Sequence, residues 1–108
     1  WLDISREEQV KRLSERESDP IKRFKVSPMD KEAQARWDLY SKARDEMLTK
    51  TSFDFAPWTA IKTDKKKTAR LNIIRHILHA AAQSPIKVDK PDSDVVLSAK
   101  SAKGKLNP

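Results

Sequence analysis

Arg12 and Arg16 stand four residues apart, so on a helix they share one face. Guanidinium groups keep their charge in any pocket and grip phosphate oxygens two at a time. Arg6 precedes them, and Lys22, Arg23 and Lys25 follow around Phe24. A second cluster, Lys62 with Lys65, Lys66, Lys67 and Arg70, comes directly after a short apolar run. Side chains of this kind bind phosphate groups. A plainer alternative stands beside that one. Glu8 lies four residues before Arg12, and Glu15 and Glu17 flank Arg16, so internal ion pairs on a solvated helix would account for the first cluster. The second would then be a soluble basic turn.

Other chemistries find less support. His76 and His79 are three apart, but no third ligand stands near them in sequence, so no metal site is expected. There is no cysteine, and with two clustered histidines and no nucleophile beside a base a catalytic triad is not expected. The single glycine, Gly104, rules out a phosphate-cradling loop of the G-x-x-x-x-G-K-[ST] type in these residues. Trp37, Tyr40 and Trp58 are able to stack on bases, although helical spacing assigns the first two to a core.

The bulk numbers agree with an anionic partner. The 108 residues carry a formal net charge of +7, with 37% hydrophobic and 36% charged residues. Nucleic acid, nucleotides, phosphate chains and anionic membrane surfaces all fit that balance. No apolar run approaches the ~20 residues of a membrane span, and no signal-peptide pattern is present. The lack of cysteine fits a reducing cytoplasm. The chain begins at Trp1 rather than Met, which leads to the expectation that the natural N-terminus lies upstream.

The elements that must position these residues are mostly helical. Trp1–Ile4 reads as the end of a strand. Ser5 and Glu8 have capping-box spacing and open a helix over about 6–17, which Asp19-Pro20 stops. Ser27-Pro28 starts a second helix running to about Thr49, with Ala33, Trp37, Tyr40 and Met47 near one face. Trp58–Ile61 reads as a lone strand whose partners are expected in sequence not present here. Asp64 is expected to cap a third helix over 65–81, whose Leu71, Ile74 and Leu78 stripe should pack on a sheet or helix. From Gln83 the composition predicts a flexible tail.

Three stretches together resemble a known family. They are Ser5-Arg6-Glu7-Glu8-Gln9 with Arg12, Arg16, Asp19-Pro20, Lys22 and Lys25; Ser27-Pro28-Met29-Asp30 with Trp37; and Ala56-Pro57-Trp58 followed by Asp64-Lys65-Lys66-Lys67 and Ala69-Arg70-Leu71-Asn72. Their order and spacing over about Trp1–Leu78 resemble the C-terminal part of the polyphosphate kinase 2 family. Leu13, Phe24, Lys65 and Thr68 depart from that pattern.

The resemblance implies a chain that is mostly α and forms the C-terminal part of a P-loop kinase-like, three-layer α/β/α fold. It implies a helical lid over 1–50, the last strand and helix of the kinase core over 51–82, and a flexible tail over 83–108. The implied activity is transfer of phosphoryl groups between inorganic polyphosphate and nucleoside phosphates, ADP or GDP or AMP, in a cytoplasmic enzyme that can be a homo-oligomer. Mg2+ and the phosphate loop would be held by residues outside this chain, so the chain alone is expected to be inactive. Arg12 and Arg16 are then the expected catalytic pair, with Lys22, Lys25, Lys66 and Arg70 binding substrate phosphates. The alternative is a self-contained basic helical module that binds nucleic acid.

Overall fold

The structure, a computed structural model, describes residues 1–108. Local rules set many of its boundaries. Helix α1 (Arg6–Ser18) opens where Ser5 Oγ accepts from the Glu8 amide at 3.2 Å. The reciprocal half of the capping box is absent. The Glu8 carboxylate turns to Arg12, and the Ser5 amide donates instead to Asp64 Oδ1 at 2.8 Å. Asp64 therefore anchors the entry to α1 rather than capping the third long helix as expected. That helix, α4 (Lys66–Ala81), begins with no side-chain cap at all.

The second predicted helix is two. Helix α2 (Pro28–Ala35) carries the full capping box between Ser27 and Asp30. The backbone then breaks at Arg36, with φ −107° and ψ 26°, before α3 (Trp37–Lys50). Neither Gly nor Pro lies between 29 and 50 to force the break. Its cause is tertiary. Helix α2 presents Asp30 to Arg16 of α1, while α3 turns Trp37, Arg44 and Leu48 inward. A 3-10 turn, Arg23–Lys25, fills the connector after Pro20.

The sheet has the order β1-β2-β3. Strand β2 (Thr59–Lys62) is central. It runs parallel to β1 (Leu2–Asp3), with Leu2 opposite Ile61 and Asp3 opposite Lys62. It runs antiparallel to β3 (Val96–Ser98), with Ala60 opposite Leu97. Two expectations are corrected here. The partners of β2 lie within this chain, and residues 83–108 are not a structureless tail. They supply β3 and α5 (Ala99–Ala102). The short run Val95-Val96-Leu97 drives this, because Leu97 and Ala102 bury against Ala60 with Leu106 alongside. With five α-helices and a three-stranded sheet, the chain is mixed α/β.

Helix α4 also departs from its predicted packing. Ala69 and Asn72 are its buried residues. Leu71, Ile74, Ile77 and Leu78 are exposed rather than packed on the sheet. Polar contacts set this rotation: Asn72 Oδ1 accepts from the Asp92 amide at 2.6 Å, and His76 Nε2 lies 3.1 Å from Thr59 Oγ1. The last residues close back on the start of the chain. Asn107 donates from its amide and from Nδ2 to Asp3 Oδ2, at 3.0 and 2.8 Å. Trp37 Nε1 donates to the Pro108 carbonyl.

Candidate functional site

Helix α1 is tied by its first turns to the β2–α4 turn. Arg12 makes the tie. Its Nε donates to Glu8 Oε1 at 2.7 Å, and its Nη2 donates to the carbonyls of Thr63 and Asp64 at 2.8 and 3.0 Å. Thr63 is in turn fixed to β1, its hydroxyl donating to the Asp3 carbonyl at 2.6 Å. This arrangement places one face of α1 against the start of α4. A shallow cleft of about 410 Å3 lies between them, lined by Glu8, Lys11, Glu15, Asp64, Lys65, Lys66 and Lys67.

The electrostatics of this cleft favour an anion. Three consecutive lysines stand at or beside the N-terminus of a 16-residue helix that lacks a side-chain cap. The helix dipole is positive there, so cations oppose it and an anion relieves both. Of the three carboxylates, Glu8 is committed to Arg12 and Asp64 to the Ser5 amide. Arg70 follows Lys66 by four residues and shares its helix face, exposed to solvent.

The sequence-predicted cations separate into two groups. Arg12 and Lys66 flank the β2–α4 turn, Arg12 through the Thr63 and Asp64 carbonyls, and Arg70 stands one turn further along α4. Arg16, Lys22 and Lys25 do not join them. Arg16 Nη1 is held by both Asp30 oxygens at 3.0 and 3.1 Å, with the Lys25 carbonyl at 3.4 Å. Lys22 pairs with Asp19 at 3.2 Å, and Lys25 Nζ sits 5.5 Å from the Phe24 ring centre. Arg16 stands one helical turn, about 6 Å of rise, beyond Arg12, and Lys22 and Lys25 lie past the end of α1. The Asp19 carboxyl is held below its ordinary value, first by the Ile21 amide and then by Lys22.

Lys11 lines the cleft and escaped the sequence reading. The signal for it is the spacing Glu8, Lys11, Glu15, which puts all three on one face of α1. Other sequence candidates have structural roles. Trp58 Nε1 donates to Thr51 Oγ1 at 2.8 Å, and His79 Nε2 lies 2.9 Å from the Val88 carbonyl. No three acidic, histidine or cysteine side chains converge, so these residues do not fit a metal ion. No helix is long and apolar enough to cross a membrane.

Comparison with known proteins bears on what this cleft serves. The family model described as Polyphosphate kinase 2 matches residues 1–89. A GDP-polyphosphate phosphotransferase from Pseudomonas aeruginosa is 46% identical over 94 residues, 87% of this chain and 24% of the relative. An ADP-polyphosphate phosphotransferase 3 from Rhizobium meliloti is 45% identical over 92 residues, 85% of this chain and 32% of the relative. An NDP-polyphosphate phosphotransferase 2 from Ruegeria pomeroyi is 46% identical over 78 residues, 72% of this chain and 23% of the relative. The chain thus spans between 23% and 32% of the length of these relatives.

Proposed function

The chain belongs to the polyphosphate kinase 2 family, and on that footing we propose that it is the C-terminal segment of an enzyme moving phosphoryl groups between inorganic polyphosphate and nucleoside phosphates. The observation that carries the reading is the cleft of Lys11, Lys65, Lys66 and Lys67 at the uncapped start of α4. Phosphoryl transfer needs positioning and charge stabilisation above all. A chain of phosphates laid in the cleft would meet lysine ammonium groups and the free amides of the first helical turn.

In this proposal residues 1–50 form a lid, 51–82 the last strand and helix of a P-loop kinase-like core, and 83–108 a strand-bearing closing segment. Arg12, bonded to the cleft residues Glu8 and Asp64, has its Nη1 uncommitted, since only Nε and Nη2 are in use. Arg16 keeps Nε and Nη2 uncommitted in the same way. Arg12 would offer Nη1 to phosphate oxygens, and Arg16 its Nε–Nη2 edge. Lys66 and Arg70 guide the polyanion from the α4 side. Lys22 and Lys25 would serve a longer chain that continues along α1. A divalent cation has no ligand set in these residues, and no step here runs through one.

The test is direct. The 108-residue chain should bind tripolyphosphate and should yield no ATP or GTP from polyphosphate and the nucleoside diphosphate. Transfer by these residues alone would overturn the assignment, because they contain no phosphate loop.

A further inference from the structure

We propose that Asp64 is a positioning residue for phosphate binding. It sets Lys11 of α1 opposite Lys65, Lys66 and Lys67, although its own charge opposes the ligand. The inference rests on the reading of the cleft as a phosphate site and deepens it. Both anchors of α1 meet at Asp64. Its Oδ1 accepts from the Ser5 amide at 2.8 Å, and its carbonyl accepts from Arg12 Nη2 at 3.0 Å. Ser5 and Arg12 stand about two helical turns apart, so bonds from both to one residue fix the direction of α1 as well as its start. Lys11 adjoins Arg12 on that helix and lines the cleft.

The pairing of charges shows what this arrangement achieves. Lys11, Lys65, Lys66 and Lys67 share the cleft with the carboxylates of Glu8, Glu15 and Asp64. None of these lysines enters an ion pair with any of them. Arg12 draws off Glu8 at 2.7 Å, and the Ser5 amide draws off Asp64 Oδ1. The ammonium groups are left for a ligand.

Asp64 thus exerts two opposing effects. Its negative charge repels a phosphate oxygen, and solvent screens that repulsion because the residue is exposed. Its hydrogen bond to Ser5 holds Lys11 where a phosphate chain on the α4 lysines meets it. Asparagine separates the two effects, because it keeps an acceptor oxygen for the Ser5 amide and drops the charge. Alanine drops both. The two variants have the same net charge, so a difference between them belongs to the hydrogen bond.

The test is calorimetry of tripolyphosphate binding to the full chain, to Asp64→Asn and to Asp64→Ala, each with and without Lys11→Ala. Asp64→Asn should bind up to about threefold more tightly than wild type, the scale of one exposed charge. Asp64→Ala should bind about fivefold more weakly than Asp64→Asn, the loss of one solvated hydrogen bond. Lys11→Ala should weaken binding about threefold in Asp64→Asn and less than about 1.5-fold in Asp64→Ala, where Lys11 no longer faces the ligand. A merely structural role for Asp64 would leave the Lys11 effect the same in both. Should Asp64→Ala fail to fold, Ser5→Pro against Ser5→Ala carries the same comparison. The Ser5 φ of −71° suits proline, which removes the amide donor, whereas alanine keeps it and both lose the cap hydroxyl. Ser5→Pro should then bind about fivefold more weakly than Ser5→Ala. Equal affinities within either pair, an equal Lys11 effect in both Asp64 variants, or an Asp64→Asn affinity below wild type overturns this inference and leaves the phosphate cleft standing. No binding by the wild-type chain sinks the cleft itself, and this inference with it.

Discussion

Asp3 Oδ1 lies 3.3 Å from Arg44 Nη1, and the two residues are 2% and 6% exposed. This pair joins β1 to α3. Asn107 closes it from the other end of the chain through Asp3 Oδ2, and its carbonyl accepts from Arg44 Nη1 at 2.5 Å. Three segments distant in sequence thus meet at one carboxylate. Removing either partner leaves the other buried and unmatched. Asp3→Ala should therefore destabilise the chain by about 3–5 kcal/mol in denaturant unfolding. A loss below about 1 kcal/mol would show that solvent reaches the pair.

The closing segment 83–108 should contribute measurably to stability. Leu97 is 3% exposed between Ala60 and Ala102. Leu97→Ala should cost about 2–5 kcal/mol, as core leucines do. An unchanged unfolding midpoint would mean that β3 does not hold to β2 in solution.

Arg12 should act as a strut that lysine cannot replace. Its guanidinium serves Glu8 and two carbonyls at once, a geometry beyond a single ammonium group. Arg12→Lys should cost about 1–2 kcal/mol. Hydrogen exchange should quicken in α1, while the Ile61 amide, bonded at 2.8 Å to the Trp1 carbonyl, stays protected. Equal quickening in both would contradict a local strut.

Asp19 gives a pH prediction with a fixed sign. The Ile21 amide and Lys22 favour its ionised form, so its folded value lies below 3.8. Such a group stabilises the fold above its unfolded value, and the contribution is lost as pH falls through the folded one. A carbon-13 titration of the carboxyl should show a midpoint below 3.8, moving upward in Lys22→Ala. A midpoint at or above the ordinary value would refute the pairing.

The local half of the fold was legible in the sequence. Asp19-Pro20 ended α1, Ser27-Pro28 opened α2, and Ala56-Pro57-Trp58 marked the approach to β2, each through short-range backbone rules. The tertiary half was not. The break at Arg36 has no sequence signal, because partners on α1 and β1 impose it. Asp64 reads as a cap by residue type, yet Ser5 offers it an amide that is distant in sequence. β3 hid in a polar stretch because three apolar residues are too few to register as a period. At the site, the sequence pointed to the lysines of the β2–α4 turn as a basic cluster directly after a short apolar run. Lys11 went unnoticed because only the docking of α1 gives it a role.

The central claim is that position, not bulk charge, makes the cleft at the start of α4 a phosphate grip. Calorimetry of tripolyphosphate binding to two charge-matched variants of the full chain tests it most directly. One variant replaces Lys65, Lys66 and Lys67 with Ala, and the other replaces Lys87, Lys90 and Lys105. The first should lose affinity by at least about tenfold, the scale of charge-assisted hydrogen bonds, and the second should change by less than about twofold. Equal losses in the two would contradict the account.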